Sequence, residues 1–355
     1  MDSLKQLQQK NRRNRRIVLG LLIATLAVGL LCLFVGASNM PFLDAVTALF
    51  GGGTNAQRRI VLSIRLPRVL AAIIAGAGLS VAGLMMQTTL GNAMASPATL
   101  GVSNAAVFGA NLSIIAFAGG FLSTGNNLAS FDAGANPFAT SFLAFLFAAV
   151  SVLLILGLCT IRAFSPNVVV LSGMAIGAVW TAMTTFLQFY ATDVGLSAAV
   201  VWSFGDLGRA TYRTDSIMAF AVAVGIAFFI LMRWKYNALL SGEATAKTMG
   251  VNVSALRFVT LLLASIITAV CVSFLGVIGF VGIICPHITK KLLGQDHRFT
   301  IPVSCLLGSL LLLLADAASR SLGGGSALPV GAITSLLGAP FFITIIFGRK
   351  EGHHH

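Results

Sequence analysis

The chain has 355 residues, 57% of them hydrophobic and only 9% charged, with a net charge of +13. A soluble domain carries roughly a quarter charged residues, so a water-soluble globular fold is excluded. Apolar runs of about 20 residues recur along the chain, the length of one bilayer crossing, and weak period-2 alternation argues against a membrane barrel.

In chain order, the basic stretch KNRRNRR at 10–16 directly precedes the first apolar run, 17–36. That is the position of a cytoplasmic anchor rather than of a nucleic-acid-binding arm. The run itself is too long for a signal h-region and reads as a retained span. The second span, 66–90, opens on SIRLPRVLAA at 63–72. Proline is tolerated in a first helical turn, so a helix is expected to begin there and run to about Thr88. Arg65 and Arg68 would then oppose the helix dipole beside hydrocarbon, which calls for a compensating partner.

The third span, 98–122, follows the polar break TTLGNAMASP, and the fourth, 138–161, follows STGNNLASFDAGANP. The fifth is 168–191, and the sixth, 214–233, follows DLGRATYRTD. From Arg257 to Thr289 the chain is mostly apolar, and one helix of that length would measure roughly 48 Å against a hydrocarbon core of about 30 Å. It must break, and FLGVIGFVG supplies Gly276, Gly279 and Gly282 for two spans, the second short. The ninth span covers 301–319 and the tenth 330–347, giving an all-α bundle of about ten spans. With both termini cytoplasmic, sixteen of the 23 Lys and Arg fall inside and seven outside (Arg58, Arg59, Arg65, Arg68, Arg209, Arg213 and Arg320), in keeping with the positive-inside rule.

No G-x-x-x-x-G-K-[ST] stretch is present, so any ATPase is a separate polypeptide. The five cysteines are dispersed in apolar surroundings and read as small hydrophobes. No metal-ligand spacing and no catalytic grouping can be nominated, and a non-enzymatic chain is expected. His287 and His297 read as interfacial polar groups, and the terminal His residues as the remnant of a purification tag. The longest cytoplasmic insert, 236–257, contains a short helix expected over Gly242–Met249, with Ser241 as N-cap, Glu243 and Lys247 four apart, and Gly250 as its stop. It is either a surface connector or a lever that docks a partner. Asp316 lies near the outer end of the ninth span with Arg320 at i+4; an ion pair is expected there in preference to a proton relay.

SIRLPRVLAAIIAGAGLSVAG, MMQTTLGNAMASPATLGVSNAAVFG, LLSGEATAKTMGV, GVIGFVGIICPHITKKLLGQDHR, LLLLADAASR and LPVGAITSLLGAPFFI together resemble the permease subunits of type II ABC importers, from about residue 17 to 349. That family takes up iron–siderophore complexes, haem and corrinoids. The resemblance implies a homodimer in the cytoplasmic (inner) membrane, among membrane lipid, with a dimer of a separate ABC ATPase that binds ATP and Mg, and an extracytoplasmic substrate-binding protein. It implies no cofactor in this chain and no nucleic-acid partner. It assigns Arg65, Arg68 and Arg320 to outward pockets for acidic residues of the binding protein. Glu243, Ala244, Lys247 and Gly250 fall on the ATPase-coupling helix, about 241–250, and Pro166 and Asn167 on the cytoplasmic gate. The chain departs from the family pattern at that gate, where a small hydroxyl pair is usual, and at Asn92-Ala93, where Asn-Pro is usual. The implied organisation is a basic segment 1–16, a permease domain 17–349 and a tail 350–355. A ferric siderophore is the expected cargo, then haem, then a corrinoid. An ion-coupled secondary transporter and a non-transporting scaffold are the alternative classes.

Overall fold

The computed structural model describes residues 2–34, 41–118, 137–161, 165–322 and 327–347. Among them the chain forms fourteen helices and no strand beyond one isolated bridge, Phe204 to Val277. These are α1 (Asp2–Phe34), α2 (Phe42–Leu49), α3 (Asn55–Thr89), α4 (Val102–Phe117), α5 (Pro137–Ile161), α6 (Pro166–Phe189), α7 (Asp193–Ser203), α8 (Tyr212–Leu231), α9 (Arg233–Leu240), α10 (Glu243–Thr248), α11 (Val253–Leu275), α12 (Val281–Leu293), α13 (His297–Leu322) and α14 (Val330–Phe347). Each of the ten expected spans has a helical counterpart. Seven are long and apolar enough to cross a bilayer by length and composition: α1, α3, α5, α6, α8, α11 and α13. The apolar α7 has no counterpart among the expected spans.

α3 is the axis of the bundle. In its most apolar 18-residue window 78% of residues are buried, against 22% for α1, whose Leu19, Ile23, Leu26 and Leu30 form an exposed apolar face suited to lipid. Small residues let neighbouring backbones meet α3 directly, as membrane helices require when packing rather than hydrophobicity holds them. A Cβ on Gly76 would fall 2.4 Å from the Gly308 carbonyl oxygen of α13, and one on Gly83 1.9 Å from that of Gly282 in α12. The Ser80 and Ser304 hydroxyls lie 2.7 Å apart across the α3–α13 contact.

α3 begins earlier than the proline suggests. Thr54 and Gln57 form a reciprocal capping box, and Gln57 also donates to Asp44 of α2 at 2.9 Å. The helix passes through wide π turns over Arg59–Arg65 before the regular stretch Leu66–Thr89. In a regular helix the Pro67 ring would collide with the carbonyl of Ser63; the π turns relieve that clash.

The expected break after Arg257 is present. α11 stops at Leu275, Gly276 adopts φ +77°, and α12 starts at Val281. The irregular backbone at the break is satisfied by neighbouring loops. Gly205 N–H donates to Val277 O, Asp206 N–H to Leu275 O, and Gly331 N–H to Gly205 O. Non-helical backbone within a membrane protein survives where other protein groups supply such partners.

Candidate functional site

Polar chemistry gathers at the two ends of α3. At the end expected to lie outside, Arg65 and Arg68 are one turn apart. Arg65 Nη1 donates to the carbonyls of Leu33 at 2.8 Å and Phe34 at 3.3 Å, and Arg320 Nη1 to that of Cys32 at 3.0 Å. These are the orphan acceptors of the last turn of α1, where the helix dipole is negative. Asp316, fully buried on α13, meets Arg68 Nε at 2.6 Å and Arg320 Nη2 at 2.9 Å. Arg68 Nη2 is 3.8 Å from the half-exposed Asp206. The i,i+4 pair of Asp316 with Arg320 is therefore present, and the compensation that the paired arginines call for comes from Asp316 and from α1. Arg65 is buried, and the side chains of Arg68 and Arg320 are 11% and 7% exposed, because these carbonyls and this carboxylate draw them inward.

At the other end of α3, each residue of the last turn takes a polar partner from a different element. Gln87 accepts from Lys290 Nζ of α12 at 2.9 Å. The Thr88 hydroxyl is 3.0 Å from His297 Nε2 of α13, and the Thr89 carbonyl accepts from Arg257 Nε of α11 at 3.0 Å. Asn237 Oδ1 accepts the His297 backbone N–H at 3.0 Å and lies 2.8 Å from Nδ1, while the Thr88 hydroxyl that faces Nε2 donates to the Leu84 carbonyl at 2.9 Å. His297 is thus a buried connector between α3, α9 and α13.

The short helix α10 stands on this end. Its N-cap is Gly242 at φ +108°, not Ser241, which lies a residue too early because the Gly242 backbone makes the turn. Gly250, at φ +79°, ends it as expected: Val251 N–H closes back onto Ala246 O at 3.0 Å. Glu243, Ala244, Lys247 and Gly250 are exposed, with only Ala246 of the helix buried. Glu243 pairs with Lys247 at 3.0 Å and with Arg257 Nη2 at 3.0 Å. The hydrogen bond from Lys247 first, then Arg257, holds its carboxyl below the usual glutamate range.

Pro166 is the first residue of α6 and Asn167 the exposed second; the gate turn before them includes 162–164, outside the described residues. Beside α6, a largely apolar cavity of about 790 Å³ is lined by Met94, Val170, Met174 and small residues, with Asn92, Thr99, Asn104, Thr181 and Thr185 as its neutral polar side chains. No cluster of metal-ligating side chains occurs among the described residues.

The model of the FecCD transport family matches residues 22–348. The chain belongs to that family. A protein of Methanocaldococcus jannaschii bearing the name of an ABC transporter permease is 43% identical over 94% of this chain and 95% of its own length. The hemin transport system permease protein HmuU of Yersinia pestis is 32% identical over 95% of this chain and 98% of its length. The vitamin B12 import system permease protein BtuC of Vibrio cholerae is 31% identical over 99% of each. A solved inward-facing structure of a metal-chelate type ABC transporter superposes with a TM-score of 0.80 at 25% identity, covering 94% of this chain and 99% of that one. This FecCD chain is accordingly a multi-pass membrane permease.

Three FecCD-chain residues at the α10 end escape a linear reading: Arg257, Lys290 and His297. Each looks like an ordinary charge or polar group at a span boundary. The signal that could have found them is the triplet Gln87-Thr88-Thr89, three polar side chains closing the most buried of the seven spanning-length helices.

Proposed function

We propose that the chain is the membrane-spanning subunit of an ATP-driven importer, acting as a non-catalytic homodimer with a separate ATPase and a substrate-binding protein. The observation that carries this reading is α10: an exposed helix on the face expected to be cytoplasmic, rooted by Glu243 and Arg257 in the helix at the bundle's centre. Glu243, Ala244, Lys247 and Gly250 are the proposed ATPase contacts. Pro166 and Asn167, at the start of α6, are the proposed cytoplasmic gate, and the uncharged cavity beside α6 is half of the proposed pathway. Leu171, Phe186 and Phe189, more than 60% exposed on α6, suit a second copy across that pathway.

Ferric siderophore is the proposed cargo, with haem or a corrinoid as the other chelates. A pathway lined by uncharged side chains suits a bulky cargo that is passed without tight binding. Docking of the binding protein on Arg65, Arg68 and Arg320 requires these guanidiniums to exchange partners. Of the three, Arg68, beside the half-exposed Asp206, has the shortest route to that exchange.

The test is uptake into proteoliposomes containing this chain with its ATPase and binding protein, using labelled ferric siderophore, haem and cobalamin, with ATP or a non-hydrolysable analogue inside. Accumulation of one ligand with ATP alone is expected. Uptake driven by an ion gradient without the ATPase would replace the reading by a secondary transporter.

A further inference from the structure

Besides the packing of its buried Ala246, α10 is tied to the bundle by the side chain of Arg257. Arg257, near the start of α11, is nine-tenths buried, yet its guanidinium faces two elements at once. Nε donates to the Thr89 carbonyl, in the last turn of α3, and Nη2 donates to Glu243 Oε2, in the first turn of α10, both at 3.0 Å. A planar fork with donors on two edges can hold two acceptors in fixed relative positions; an ammonium is one point on a flexible stem and cannot. The Thr89 carbonyl lies at the negative end of α3, which favours a cation there.

What lies beyond each end of the bridge matters as much. α3 touches α12 and α13 backbone to backbone at Gly83–Gly282 and Gly76–Gly308, so these three helices cannot slide independently without separating. Gln87 and Thr88 fasten the same turn to Lys290 and His297. α10, in contrast, is exposed on all but Ala246.

We propose that Arg257 is the positioning residue that converts displacement of α10 into displacement of the α3–α12–α13 body, through the Glu243–Arg257–Thr89 bridge. This rests on the importer reading given above and assigns its force-bearing contact.

The experiment uses the complete transporter in proteoliposomes, reading ATP hydrolysis and cargo uptake on the same preparation. Arg257→Gln, Arg257→Lys, Glu243→Gln and the Arg257→Gln/Glu243→Gln double variant are compared with the unmodified protein. Arg257→Gln is expected to keep ATP hydrolysis while uptake per ATP falls about tenfold, the scale of a typical coupling energy between sites. Arg257→Lys, which retains charge but not the fork, is expected not to restore coupling. The double variant is expected to be no worse than Arg257→Gln, since the two residues act as one unit. Glu243→Gln alters an exposed carboxyl and keeps the test open should the arginine variants fold poorly. An unchanged uptake-to-hydrolysis ratio in Glu243→Gln and Arg257→Lys would overturn the bridge while leaving the importer standing. Loss of hydrolysis and uptake in parallel would also overturn it, by reducing Arg257 to a structural residue. Absence of ATP-dependent uptake in the unmodified protein would remove the importer reading and the bridge with it.

Discussion

Asp316 has no exposed surface and two arginines on it, and its removal shows what the outer cluster contributes. Breaking a buried pair by deleting one partner is costly because the other charge stays behind unpaired. In Asp316→Asn, Arg68 and Arg320 would face one another across a neutral amide in a poorly solvated place. The expected loss is about 3 kcal/mol, read as a lowered unfolding midpoint of the detergent-solubilised protein. Arg65→Gln, which removes hydrogen bonds to the α1 carbonyls but leaves the carboxylate paired, is expected to cost less. Equal loss in the two variants would mean that helix capping, not charge pairing, dominates. Only part of this cluster is legible in the sequence. Asp316 and Arg320 are four apart on one helix and announce themselves; Arg68 is 248 residues away, and no local spacing connects it to the acid. The same holds at the inner end, where Glu243 and Lys247 are readable and Glu243 and Arg257, on separate helices, are not.

Helices were legible where length forces the outcome. The run after Arg257 exceeds the bilayer thickness, so a break had to occur, and glycine marks it. Gly276 takes a positive φ, and a Cβ there would come within 2.8 Å of the Trp202 carbonyl oxygen. Gly276→Ala is therefore expected to cost about 1–2 kcal/mol in backbone strain and to loosen the α7–α8 loop that pairs with the break. Faster hydrogen exchange at Gly205 and Asp206 would be the specific sign, and unchanged exchange there would separate the loop from the break. The start of α3 departs from the expectation for the opposite reason. Pro67 suits a first turn, whereas the Thr54–Gln57 capping box, an equally local pattern, marks the true beginning; π turns carry the helix past the proline. Helix α10 adds a pH dependence. The folded-state carboxyl of Glu243 is held below its unfolded range, so its contribution is present above the ordinary glutamate value of about 4.3 and is lost as pH falls through the lower folded value. The difference in α10 amide protection between the unmodified protein and Glu243→Gln should be present at neutral pH and vanish in acid; a difference that persisted in acid would show that the carboxylate charge is not its source.

At the scale of the molecule, α3 is a strut with both ends pinned by guanidiniums, Arg65 and Arg68 at one end and Arg257 at the other. Its middle is held by backbone contact to α12 and α13. The α10 end is the one expected to face the cytoplasm, since the expected topology puts sixteen of the 23 Lys and Arg on that side, counting the basic segment before the first span. The chain is well suited to a direct check, because Cys32, Cys159, Cys271 and Cys285 are buried and Cys305 is half-buried, leaving an introduced surface thiol as the reactive one. Met249, 65% exposed beside α10, and Asn55, exposed at the start of α3, sit at opposite ends of the strut. A membrane-impermeant maleimide applied to intact cells is expected to label Asn55→Cys and to spare Met249→Cys until the membrane is permeabilised. The reverse pattern would put α10 outside, beyond reach of any cytoplasmic ATPase, and would overturn the proposed function through topology alone.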